Sequence, residues 1–212
     1  MRFRKSLLIP TLLIAGSMLF TSADAQDQYK AFYFGATGGA GYSAVLFDPS
    51  GTDGVIAPVF GGLFRFESPE RKAIQIELRY RQGGWKESSG YERELGILEM
   101  PVIANIGLGK KNVRPFLTLG ETLTYIVSES EVLPGPGGQE PIFDGILIDN
   151  KCGFALNGGL GVGWHSAKSI IEFEARATFH VTSLYDTPNE LNLSNSTPYF
   201  IEGVLRYLFK WK

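Results

Sequence analysis

Few residues of this sequence are of types that do covalent or acid–base chemistry, and their spacing decides what each can do. Histidine occurs twice, at His165 and His180, and cysteine once, at Cys152. The run His180-Val181-Thr182-Ser183 is the one segment with the residue types of a serine hydrolase acting on acyl chains. That chemistry needs Ser, His and an acid within hydrogen-bond reach of one another. Here His180 falls on the same alternation face as Glu172, Glu174 and Arg176, and the residue two further on is Thr182, not a serine. Glu172 and Glu174 form a carboxylate pair of the kind glycosidases use, but charges of both signs at strand spacing more simply serve packing. His165, beside Ser166, reads as a polar strand end. Cys152 has no internal disulfide partner, and no Cys/His grouping has metal-ligand spacing. The expectation is therefore no enzyme, no catalytic residue, no metal and no cofactor.

The elements that carry these residues are strands. In Ile74-Gln75-Ile76-Glu77-Leu78-Arg79-Tyr80-Arg81, apolar and polar residues alternate with period two, which a helix of 3.6 residues per turn would smear over every side. Ile171 to Val181 alternates the same way against Glu172, Glu174, Arg176, Thr178 and His180. So does Tyr199 to Trp211 against Glu202, Arg206 and Lys210. Weaker segments bring the count to eight strands: 30–43, 54–66, 72–83, 94–108, 113–127, 152–165, 169–182 and 197–211. Connections after the second, fourth and sixth are short. Those after the first, third, fifth and seventh are longer, the longest running over 128–151. This alternation predicts an all-β chain, a single closed antiparallel up-and-down transmembrane β-barrel with tight turns at one end and long loops at the other. Closure leaves no strand edge unpaired in lipid.

Ahead of the strands, Arg2, Arg4 and Lys5 precede the apolar run Leu7–Phe20, and Ala23-Asp24-Ala25 offers a cleavage site. Residues 1–25 read as a cleaved secretory signal peptide and 26–212 as the barrel domain. The chain holds 20 basic and 22 acidic residues. Without the leader these become 17 and 21, a net charge of −4 that argues against nucleic acid as a partner.

Alternation alone does not say which face points outward. A soluble lipocalin-like secreted barrel would put the apolar face inside. The long unbroken apolar faces, the aromatics toward strand ends (Phe32, Phe34, Tyr80, Tyr125, Trp164, Tyr207, Phe209, Trp211) and the mixed-sign polar faces favour apolar side chains toward lipid. The interior is then a structural charge network of Arg65, Glu77, Arg79, Arg81, Glu99, Glu172, Glu174, Arg176, Glu202, Arg206 and Lys210, with no open pore. Glu121 breaks the pattern, since it shares a face with Leu117, Leu119, Leu123 and Tyr125. Either it lies near an interface or a bulge at Gly120 turns it inward. Pro58 and Pro101 are also expected to disturb the ladder.

Three stretches carry a resemblance. Ile76 to Gly84, Leu98-Glu99-Met100-Pro101 and Arg114-Pro115-Phe116-Leu117-Thr118-Leu119-Gly120 resemble successive strand patterns of the porin-like outer-membrane β-barrel domain family, which includes the PorT-type proteins. The resemblance covers nearly all of 26–212, with Glu121 as a departure. It implies a barrel in the outer membrane of a Gram-negative cell envelope, among outer-membrane lipid and lipopolysaccharide. It also implies a last strand, with Tyr207, Phe209 and Trp211, read by the outer-membrane assembly machinery. Lys212 follows the last aromatic, whereas many such barrels end on one. Some relatives act in secretion or gliding, which is not carried over. A lipid A-modifying enzyme on such a barrel is a further alternative, with His180 as its residue-level support.

The loops decide the functional expectation. Residues 128–151 hold Glu129, Glu131, Glu140, Asp144 and Asp149 around Pro134-Gly135-Pro136-Gly137-Gly138. They suit divalent cations, a protein or a glycan, or nothing more than solvation. Arg71, Lys72, Lys110, Lys111 and Lys168 fall in the short turns. Asn192-Leu193-Ser194 and Asn195-Ser196-Thr197 match the glycosylation pattern, which means little in a bacterial chain. A structural, adhesive or binding role through acidic outer loops follows as the expected function.

Overall fold

The computed structural model describes residues 31–46, 52–87, 89–109, 111–133, 148–185 and 196–211. The expected signal peptide, Glu140, Asp144 and both glycosylation patterns up to Asn195 lie outside them. Eight strands follow one another: β1 (Ala31–Leu46), β2 (Thr52–Glu67), β3 (Lys72–Glu87), β4 (Glu92–Gly107), β5 (Val113–Val132), β6 (Cys152–His165), β7 (Ser169–His180) and β8 (Thr197–Lys210). Each pairs antiparallel with the next, and β8 pairs with β1 to close the barrel.

The stagger of that closure is read from the register. Tyr33 pairs with Arg65, Arg65 with Gln75, Gln75 with Ile103 and Ile103 with Gly120. From there the path runs through Asn157, Thr178 and Phe200 to Ser43, ten residues up β1 from its start. Eight strands with this stagger tilt strongly and enclose a bore just wide enough for side chains to fill.

The faces sort as the alternation demands. Ile76, Phe173 and Leu205 are 39%, 55% and 58% exposed on the outside, whereas Glu77 and Arg206 are fully buried inside. A lipocalin-like barrel requires the reverse, so that alternative fails. Aromatics band both ends of the outer surface. Phe34 packs against Phe209 and Trp211 near the chain ends, and Tyr199 against Tyr42 and Phe179 at the far end.

The connections depart from expectation. Strands β1 to β5 all run further at the outer end than their alternation shows, β3 and β5 by four and five residues and the others by two or three. There Lys86, Glu92, Glu94, Ser128 and Ser130 continue the ladder outside hydrocarbon, where both faces can be polar. As a result the first two outer connections, 47–51 and 88–91, are no longer than the turns at the other end. Only 133–151 and 181–196 are long. At the short-turn end Arg71 takes a positive φ of 65°, and its guanidinium donates to the Gly109 carbonyl at 2.6 Å, tying two turns together.

The prolines act differently. Register shifts between Gly54 and Val59, a stretch that includes Pro58. Pro101 leaves the β4–β5 register intact, and on the β3 side the pairs Ile76–Val102 and Arg79–Glu99 keep one register around it. No shift occurs at Gly120, so Glu121 stays outward and exposed; the second irregularity lies at Gly96/Ile97.

Candidate functional site

The lumen is built by the inward residues of all eight strands. At its lower end, toward the chain termini, Leu63, Ile170 and Leu208 form a buried apolar layer with Tyr33 against it. From this level a continuous chain of ion pairs runs toward the outer end. Arg65 grips Glu172 with two hydrogen bonds of 2.5 Å and donates through Nε to Gln75 at 2.7 Å. Arg206 joins Glu172 to Glu174 and Glu77. Arg176 holds Glu77 with two bonds of 3.0 Å and Glu174 at 2.9 Å. Arg79 reaches Glu77, Glu99 and Glu202, and Arg81 reaches Glu99 and Glu202. Thr118 donates to Glu174 at 2.7 Å and, nearby, the Asn157 amide donates to Thr122 at 2.8 Å.

Ten of the eleven residues expected in the network are buried there. Lys210 is the exception: it is exposed at the last position of β8, where the bore opens to solvent. Its removal leaves five arginines facing five glutamates. Charges this deep persist only when paired and multiply hydrogen-bonded, and this arrangement has no net charge.

Above the charges lies a layer that alternation did not announce. Trp85, Tyr91, Leu95, Ile97, Ile126, Ile148, Leu184, Tyr185 and Phe200 pack with Val45 into a buried apolar plug. Trp85 shares inward parity with Glu77, Arg79 and Arg81, so the signal was present in β3 but outweighed by its charges. Arg81 stacks 4.5 Å from the Phe200 ring centroid, which couples the plug to the network. Arg93 lies 5.7 Å from the Trp85 ring, pairs with Glu131 at 3.0 Å and with Glu129, and donates to the Tyr185 hydroxyl at 3.3 Å. The base of the acidic 128–151 segment is thereby fastened to the plug.

Burial pushes the Tyr185 phenol up from 10 to about 12 and raises that of Tyr91 as well. Below pH 10 the phenol is neutral whether the plug is closed or open, and its contribution to the plug is complete. Between pH 10 and about 12 an opened plug gains stability by ionising, so the closed plug weakens across that window. In a variant with Trp164 and Trp211 replaced by Phe, Trp85 emission is expected to shift red there while the barrel keeps its heat-resistant mobility. Emission unchanged through pH 12 would contradict the role given to Tyr185.

The hydrolase-like residues do not converge. His180 is buried inward, edge-on to Phe200 with ring centroids 5.4 Å apart, and its Nε2 has no hydrogen-bond partner. The Thr182 hydroxyl accepts from the Phe154 N–H at 3.0 Å. His165 sits at the lower end of β6, and its N–H donates to the Asn112 carbonyl. Cys152 is exposed at the outer end of β6. Among the described residues no three His, Cys, Asp or Glu side chains group as metal ligands.

Residues 24–186 match the family described as outer membrane protein beta-barrel domain. No curated protein matches the chain. Among solved structures, the outer membrane protein OprG from Pseudomonas aeruginosa aligns with a TM-score of 0.51 at 12% identity, over 87% of this chain and 97% of that one. Neisserial surface protein A, NspA, aligns with a TM-score of 0.50 at 11% identity, over 85% of this chain and 98% of the other. At these identities the likeness is one of fold.

Proposed function

Because the chain belongs to the outer membrane protein β-barrel domain family and resides in the outer membrane, we propose that it works as a closed surface barrel, binding or adhering through its outer rim and loops. The PorT-type members are the subgroup to which we assign it, on the strand patterns at Ile76–Gly84, Leu98–Pro101 and Arg114–Gly120. The observation that carries the reading is the filled lumen. An ion-pair network and an apolar plug occupy the bore in series, which supports neither a channel nor a diffusion pore. We assign no reaction to the barrel, since among the described residues neither a serine nor an acid is bonded to His180. Lipid and lipopolysaccharide surround the belt, and the assembly machinery reads β8.

Binding is assigned to the acidic segment above β5, where Glu129 and Glu131 are anchored by Arg93. The ligand classes that suit it are divalent cations at the lipopolysaccharide surface, a protein or a glycan. In planar bilayers the purified barrel is expected to show no conductance steps. Cells carrying a deletion of residues 134–147 are expected to lose adhesion to immobilised glycan or protein surfaces while the barrel still shifts mobility on heating. Stable nanosiemens steps, or adhesion unaffected by the deletion, would overturn the reading.

A further inference from the structure

The outer belt carries an acidic side chain among its apolar ones. Glu121 projects outward from β5 between Leu119 and Leu123, which are 72% and 49% exposed. Its cross-strand partners are Val102 on β4 and Leu156 on β6, both apolar. No described residue gives its carboxyl a hydrogen bond or an ion pair. Among the described residues it is the one charged side chain facing outward between the two aromatic bands. An ionisable group facing hydrocarbon is costly and calls for a partner from outside the strand that carries it.

We propose that Glu121 centres a contact between two copies of this chain, in which the two carboxyl groups hydrogen-bond to each other. Every copy is inserted in the same direction, so a two-fold axis relating two of them must run along the membrane normal. Such an axis sets each belt residue against the partner surface at its own depth. Among the described residues, the only polar group that surface offers at the depth of Glu121 is a second Glu121. A carboxyl is complementary to itself in this geometry, as donor and acceptor.

The surface beside it permits close approach. Gly158 on β6 faces outward, and a Cβ there would meet nothing nearer than 3.8 Å, which leaves a shallow notch next to Glu121. Ala104 does the same on the β4 side. Small residues at a membrane interface let two backbones approach and gain van der Waals contact.

Cys152 provides the probe, because it is exposed and opens β6 opposite Tyr125, just above the proposed contact. Full-length chain labelled there with donor or acceptor dye and mixed in phospholipid vesicles is expected to show energy transfer well above random encounter. Glu121→Leu should reduce it to the random level while keeping or improving heat-resistant mobility, since leucine suits lipid. Glu121→Gln should retain it, because amides also pair as donor and acceptor. Transfer at the random level in the unsubstituted chain would overturn the proposal. So would full transfer in Glu121→Leu, or loss in Glu121→Gln.

Discussion

Glu77→Leu is expected to destabilise the barrel by roughly 3–5 kcal/mol, the range for breaking a buried ion-pair network from one side. Glu77 sits where the network converges: Arg176 donates to it twice at 3.0 Å, Arg79 and Arg206 lie 3.3 Å away, and the Gln75 amide donates to it. Leucine fills a similar volume, so the loss is electrostatic. Three guanidiniums then share one carboxylate fewer in a bore that had been neutral, and none can reach water. Urea unfolding in lipid vesicles measures the change. Glu77→Gln, which keeps shape and hydrogen-bonding capacity, should cost less than Glu77→Leu. A loss below about 1 kcal/mol for Glu77→Leu, the scale of an ordinary surface pair, would show that the lumen is hydrated and the network loose.

Leu78, the next residue, gives the second large effect through the opposite face. It is 57% exposed and lies in the belt between Ile76 and Tyr80. On a soluble protein, Leu→Arg at such an exposed site changes stability by about 0.5 kcal/mol either way. Facing hydrocarbon near the middle of a barrel, the same change costs roughly 2–4 kcal/mol. The two substitutions are neighbours in sequence, yet one probes the inside and the other the lipid. Leu78→Arg that unfolds like the unsubstituted chain would place β3 in water.

Much of this was legible because strand periodicity leaves little freedom. Once Ile76 and Leu78 are outside, Glu77 and Arg79 are inside, and closure with short turns follows from the need to pair every backbone group in lipid. Ten network residues were readable on parity alone. Lys210 was not, because parity gives a face but not a depth, and the end of β8 lies where the bore meets solvent. The outer plug was missed for a related reason. Trp85, Leu95 and Ile97 have inward parity, but a search for a polar interior passes over apolar residues on the polar face. The outer strand extensions were hidden as well, because above the membrane neither face need be apolar and Ser128 to Glu131 carry no alternation. Glu121 was visible as an exception from the start. Its resolution needed the register, which shows no bulge at Gly120 to turn it inward.

Cys152→Ser chains carrying a single nitroxide at position 173 or 205, two outward sites paired across β7 and β8, test the orientation most directly in lipid vesicles. Oxygen dissolved in the bilayer should relax both labels strongly, while a water-soluble nickel chelate should leave both untouched. Strong relaxation by the chelate at both sites, with little effect from oxygen, would mean that the greasy side of the sheet faces water and that the charged side does not line a sealed bore.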